Sequence, residues 1–221
     1  KAGGPHYLRR FLRAEPATAG KPEGSVVAPR TLAEHMPDAS RGNWASRPDR
    51  IAMLRKHLRG KAADAMAAVA ALDFGPVDLP GPTGEANTLA LFPRGRVLCL
   101  GPDAETLMWQ AVQALGAGNA VLAVAPGAET ALKMLTGKGL PLAVLDGQVE
   151  AAALTRLDID LAAFAGEAET VRGYRAALAA REGPIVPLVS EVAHPAAYAH
   201  ERAVCVDTTA AGGNASLLAA S

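Results

Sequence analysis

Residues 120–124 read Ala-Val-Leu-Ala-Val, an apolar run with no polar face. A strand with one wet face alternates apolar and polar residues. A short unbroken apolar run is what a parallel strand covered on both faces requires. The surrounding pattern repeats the constraint. Residues 88–92 and 97–100 read as strands, and residues 105–115 as a helix with Leu107, Met108, Ala111, Val112 and Leu115 on one stripe. Short helices are expected over residues 128–135 and 151–157, and strands over 142–145 and 161–164. A longer helix over 167–181, through Val171, Tyr174 and Leu178, is closed by Gly183-Pro184 and leads to a last strand over 185–189. This alternation predicts an α/β fold with a mostly parallel sheet and helices on both faces.

Upstream of the alternation, Ser46, Pro48 and Asp49 mark a helix start. Ile51, Leu54 and Leu58 follow at helical spacing until Gly60. A second helix is expected over 62–72, with Met66, Val69 and Ala70 inward. Residues 74–85 are a loop rich in Gly and Pro, and residues 13–45 read as a linker with little periodicity. Residues 6–12 read as a short strand. The expected organisation is therefore a first flap strand (1–12), a linker (13–45), an α/β domain (46–192), and a second flap strand with a terminal segment (193–221).

Composition removes several function classes. Lys plus Arg and Asp plus Glu balance at 22 each, so no global field draws nucleic acid or an acidic membrane surface. The basic stretch at residues 55–59 has no interleaved aromatics and reads as the wet face of a helix. No apolar run approaches the ~20 residues of a membrane span, and the start lacks a signal peptide's apolar stretch, so the expected location is cytoplasmic. Cys99 and Cys205 lie in separate apolar segments and read as small buried hydrophobes. The histidines, His194 and His200 included, lack the companions of a zinc site, and no metal is expected. Gly116-Ala-Gly-Asn-Ala-Val121 imitates a nucleotide loop but leads from helix into strand, the reverse of the dinucleotide fingerprint.

Two segments at opposite ends carry a family resemblance. Lys1-Ala-Gly-Gly-Pro-His-Tyr-Leu-Arg-Arg-Phe11 and the stretch from Glu201 through Asp207-Thr-Thr-Ala-Ala-Gly-Gly-Asn-Ala-Ser-Leu-Leu218 resemble an interrupted C-terminal ending of the proline utilization A family. That family comprises bacterial bifunctional proline-catabolic enzymes. The resemblance implies a flavin-dependent proline dehydrogenase module and an NAD-dependent L-glutamate γ-semialdehyde dehydrogenase module as partners, with a partner subunit as a further contact. FAD and NAD would belong to that parent. It also implies that residues 6–11 and 202–208 pair as antiparallel strands. Thr208, Thr209, Gly212, Gly213, Asn214, Leu217 and Leu218 would form a lid that helps seal the intermediate's route.

The middle of the chain resembles the aldehyde dehydrogenase superfamily. The matching stretches are Pro93-Arg-Gly-Arg-Val-Leu-Cys-Leu-Gly-Pro102, Ala117-Gly-Asn-Ala-Val-Leu-Ala-Val-Ala-Pro126, Ala163-Phe-Ala-Gly-Glu-Ala-Glu-Thr170 and Gly183-Pro-Ile-Val-Pro-Leu-Val-Ser-Glu191. Departures from that family's pattern carry the functional expectation. Residues 101–106 hold two acids and no Asn for an oxyanion. Val124 stands where the family's ribose-contacting Lys stands, and Glu167 replaces a Ser at the phosphate turn. A carboxylate there can cap its own helix, and at ~4 Å it repels a phosphate by about 1–4 kcal/mol. Glu191 matches the general-base position, as a relic or as the partner of a nearby Arg. The family's nucleophilic Cys lobe is missing. The resemblance implies a degenerate Rossmann-like domain over residues 46–192 with a two-stranded terminal flap, with no catalytic residues and no cofactor of its own. The alternative is an NAD-dependent coenzyme domain with residual cofactor binding.

Overall fold

The structure, a computed structural model, describes residues 24–39 and 41–207. The expected pairing of residues 6–11 with 202–208 and the lid residues Thr208 to Leu218 lie outside the described residues. Five parallel strands form the main sheet: β3 (Arg96–Cys99), β4 (Ala120–Ala125), β5 (Leu142–Asp146), β6 (Leu161–Ala163) and β7 (Leu188–Val189), in the order β5-β4-β3-β6-β7. Strand parity divides the core. Val97, Cys99, Val121, Ala123, Leu161 and Ala163 face one apolar cluster. Leu98, Leu122, Val124, Ala162 and Phe164 face another. Both faces are buried, which is why residues 120–124 read as a continuous apolar run.

On the first face lie α2 (Arg50–Arg55), α3 (Lys61–Ala70) and α4 (Ala104–Gly116). Leu54, Met66 and Val69 interlock there with Leu107, Ala111 and Leu115. The approach is close at Gly116, where a Cβ would meet Val69 Cγ1 at 2.5 Å and Met66 Cε at 2.8 Å. Asp103 starts α4 by accepting a 2.9 Å hydrogen bond from the Thr106 amide. By contrast, α2 takes no side-chain cap from Asp49, whose carboxylate instead accepts from Arg47 Nε at 2.6 Å. On the second face lie α1 (Pro29–His35), α6 (Ala168–Ala179) and a 3₁₀ turn over Ala151–Thr155.

The linker and loop expectations are corrected. Residues 24–39 and 41–45 carry ordered elements rather than a featureless linker. Val27 donates its amide to Gln148 O at 2.8 Å beside β5, α1 buries Leu32 completely, and a 3₁₀ turn over Arg41–Ser46 buries Trp44. Leu32 and Trp44 are isolated apolar anchors rather than members of a periodic stripe, so no period betrays these elements in the sequence. The loop over residues 74–85 contains β1 (Val77–Leu79). Three other elements are shorter than expected: α5 covers only Ala128–Ala131, the 151–157 helix is 3₁₀, and β7 has two residues.

The strand read at residues 88–92 does not join the parallel sheet. As β2 (Glu85–Pro93) it forms an antiparallel sheet in the order β1-β2-β8, with β8 spanning Ala199–Asp207. This arm is rooted by Asn119, a fully buried residue. Asn119 Oδ1 accepts from the Gly95 amide at 3.0 Å, while Nδ2 donates to Tyr198 O at 2.8 Å and Ala114 O at 3.0 Å. Those bonds join the helix-to-strand turn, the β2–β3 junction and the start of β8. The glycines around Asn119 thus belong to a turn, in agreement with the reading that rejected them as a nucleotide loop.

Candidate functional site

In a doubly wound sheet, ligands bind outside the carboxyl ends of the strands, where the strand order reverses. Here the chain runs outward from β3 to β4 and β5, then returns to β3's other side with β6. A cleft of about 600 Å³ opens at the ends of these strands. Its floor includes Leu100, Val124 and Phe164, and its rim includes Gln148, Glu167 and Glu169. Gly101 turns the chain away from β3 at φ 76°, a conformation costly for any residue with a Cβ. Its amide and carbonyl are both held, each at 3.0 Å, by the buried amide of Gln110. Tyr174 closes the wall. It packs edge-on against Phe164 at 5.0 Å and donates its hydroxyl to Val149 O at 2.7 Å. Burial pushes that phenol up to about 12, so it stays a neutral donor.

The structure brings Val124 and Glu167 into this one cleft. Val124 is an apolar floor residue, 1% exposed. Glu167 is exposed at the N-cap position of α6. The expectation that its carboxylate caps the helix is corrected: Glu167 makes no side-chain cap bond. Its backbone leaves the carboxylate on the rim, with Glu169 two residues further on in the first turn. Two acids therefore stand where free helix amides would otherwise attract an anion.

Glu191 lies apart from the cleft, two residues beyond β7. Its Oε2 accepts from the Ser190 amide at 3.1 Å and sits 3.7 Å from His194 Nδ1. The expected Arg partner is corrected, because Arg175 donates to Ser190 Oγ at 3.1 Å instead. Sequence reasoning missed the residue that organises this corner. Gln113, fully buried, donates to Val192 O at 2.7 Å and accepts from the His194 amide at 2.8 Å. Gln113 lies off the apolar stripe, on the same side of the helix as Thr106 and Gln110, so periodicity gave no signal of its burial.

Comparison with known proteins adds the family. No protein-family model matches the chain. The bifunctional protein PutA of Escherichia coli (strain K12) is 34% identical over 99% of this chain and 17% of its own length. PutA of Salmonella typhimurium is 35% identical over 99% of the chain and 17% of its length. The crystal structure of a Bradyrhizobium japonicum PutA mutant superposes with a TM-score of 0.59 at 27% identity, covering 83% of this chain and 23% of that one. The chain is a PutA-like region. It spans about a sixth of the curated PutA proteins it matches. An NAD-dependent benzaldehyde dehydrogenase from Corynebacterium glutamicum shares the fold, with a TM-score of 0.57 at 15% identity over 80% of this chain.

Within this PutA-like region the two cysteines sit in different surroundings. Cys99 is inside the core, and burial pushes its thiol far above the ordinary range. Cys205 corrects the expectation of a buried hydrophobe. It is exposed on β8, and desolvation and then the neighbouring Glu85 raise its thiol. Among the described residues no three His, Cys, Asp or Glu side chains group as metal ligands. No described helix is long and apolar enough to cross a membrane.

Proposed function

We propose that this chain is a non-catalytic C-terminal part of a bifunctional enzyme that converts proline to glutamate through pyrroline-5-carboxylate and its semialdehyde. In this reading it is a structural and interaction module, acting in the cytoplasm beside the parent's proline dehydrogenase and aldehyde dehydrogenase modules. The parent's FAD and NAD are bound elsewhere. The single observation that carries the reading is the cleft. It occupies the coenzyme position of a Rossmann-like sheet, yet presents Val124 on its floor and Glu167 on its rim. NAD carries a pyrophosphate, and these residues do not fit it: Val124 offers no donor to a ribose hydroxyl, and Glu167 opposes the negative charge. Hydride transfer would also need a nucleophile and a base in reach of one another. Glu191 has His194 beside it, with no thiol among its described partners.

Calorimetry with NAD tests the cofactor half of the proposal. No heat of binding is expected at millimolar NAD, and binding at micromolar strength would overturn it. Gain of binding in the Glu167→Ser, Val124→Lys double variant supports a decayed site. The lid half is tested in the intact parent by removing residues 208–221. The coupled proline-to-glutamate reaction and the aldehyde step should fall while proline oxidation persists. Unchanged coupled kinetics without a lag in NADH formation would refute the lid. A second reading, residual dinucleotide binding, is favoured by one observation: the cleft keeps about 600 Å³ of open volume at the switch point.

A further inference from the structure

The cleft at the ends of the parallel strands does not suit NAD, and its lining has a chemistry of its own. Two carboxylates, Glu167 and Glu169, belong to that lining, and no Lys, Arg or His does. Among the described residues Glu167 has no ion pair, and Glu169 is paired only with Arg172, at 3.8 Å and on the surface, where a pair adds little. The apolar part of the lining is aromatic at one corner. The Phe164 and Tyr174 rings meet there at 5.0 Å and 86°. Gly166 lies directly against the first of them: a Cβ at Gly166 would stand 2.6 Å from Phe164 Cζ, so any side chain there would displace the ring. The Tyr174 hydroxyl is engaged by Val149 O at 2.7 Å, which fixes the second ring and leaves it no donor for an anion. A ring face attracts a cation, more strongly where water is displaced.

We propose that the cleft binds an organic cation, an ammonium carried on an apolar body, with the charge between Glu167 and the aromatic corner and the body on Leu100 and Val124. The proposal rests on the reading that this cleft is no coenzyme site. Charge complementarity selects a cation, since the lining acids have no lining base to neutralise them. The apolar floor selects an organic cation over a bare metal ion, which takes six or more oxygen ligands in the case of calcium. The opening of about 600 Å³ is in the range that small organic ligands fill. Every wall belongs to this chain, so a neighbouring module over the mouth would enclose the cation without changing the lining.

The test uses the 221-residue chain, calorimetry, and four probes. Phenylbutylamine, phenylbutanol and phenylbutyrate share one apolar body and differ in charge, and NAD is the fourth. The amine should bind with a Kd below about 1 mM. The alcohol should bind at least fivefold more weakly, and the carboxylate and NAD should give no heat. The Glu167→Gln, Glu169→Gln double variant, changed at two exposed positions, should weaken the amine at least fivefold and bring it level with the alcohol. Phe164→Leu keeps an apolar floor without the ring and should weaken the amine at least threefold. Circular dichroism confirms the fold of each variant. In the intact parent, the saturation-transfer NMR signal of the amine should fall in the same double Gln variant. Three results would each overturn the proposal: amine and alcohol binding alike, unchanged amine affinity in the folded double variant, or a parent signal that the double variant leaves unmoved. Absence of both amine and NAD binding would overturn it while leaving the non-coenzyme reading intact, whereas NAD binding at micromolar strength would overturn both.

Discussion

β4 is buried at every position from Ala120 to Ala125, whereas β8 is exposed at every position from Glu201 to Asp207. Ala and Val make up β4 apart from Leu122, and they recur in β8 at Ala203, Val204 and Val206 between charged residues. What differs is the company each keeps. Parallel strands are joined by helices that must cross over the sheet, so the connections themselves supply cover on both faces. The antiparallel arm is joined without such crossovers, and among the described residues neither of its faces receives a layer. A sheet of few strands without a packed face is marginal in water. The parallel sheet therefore holds its own stability, and the arm is ordered from its root outward.

The sharpest way to break that contrast is to remove equal kinds of apolar contact from each side. Leu122→Ala, at a fully buried position, should cost about 2–5 kcal/mol, and Val204→Ala on the arm less than about 0.5 kcal/mol, by urea denaturation. Comparable losses would mean that the arm carries a core of its own. Next in size is the root. Asn119→Ala leaves the Gly95 amide and the Tyr198 carbonyl without their described partner and should cost about 1–3 kcal/mol. It should also speed amide exchange in β8 more than in β4. Equal acceleration in both strands would show that Asn119 does not serve the arm in particular.

Smaller effects sharpen the comparison inside the parallel layer. Asp103→Ala removes the α4 cap and should cost about 1 kcal/mol. The Thr106 amide, its strongest favourable contact, lowers Asp103 below the usual carboxylate range. A depressed carboxylate contributes stability that is present above its unfolded value of about 3.9 and disappears as pH falls through the folded value. Asp103→Asn should therefore keep most of the stability at pH 7 and flatten its decline below pH ~4, measured as urea midpoints across that range. An unchanged acid limb would exclude Asp103 as a contributor. Smallest, and of opposite sign, Glu167→Ser supplies a hydroxyl cap that α6 lacks, and should raise stability by up to about 1 kcal/mol. A loss of stability would show that the Glu167 carboxylate supports the helix after all.

The parallel layer was legible because its strands and helices repeat: Leu107, Ala111 and Leu115 recur at helical spacing, and residues 120–124 admit no wet face. The cleft's two diagnostic residues were legible for a different reason. Val124 and Glu167 depart from a pattern otherwise matched in order, and the fold brings both to one opening. Features held by single contacts were not legible. Leu32 and Trp44 each anchor an otherwise polar segment. Residues 85–93 alternate too weakly to announce which sheet they enter, because that choice is made by β8 more than a hundred residues later. Cys205 misled because Ala-Val-Cys-Val looks like core to any composition argument, whereas among the described residues nothing covers that stretch of β8.

The Asn119 root also has a mechanical meaning. β2 and β8 are paired along nine residues each, a stiff ribbon of about 30 Å gripped at one end by three hydrogen bonds to one side chain. A rotation of only about 10° at that grip sweeps the far end through about 5 Å, more than a full strand spacing. Geometry of this kind turns a small adjustment beside the turn at Gly118 into a large displacement at Val206. Whatever rests on the tip is thereby coupled, with gain, to the packing of α4.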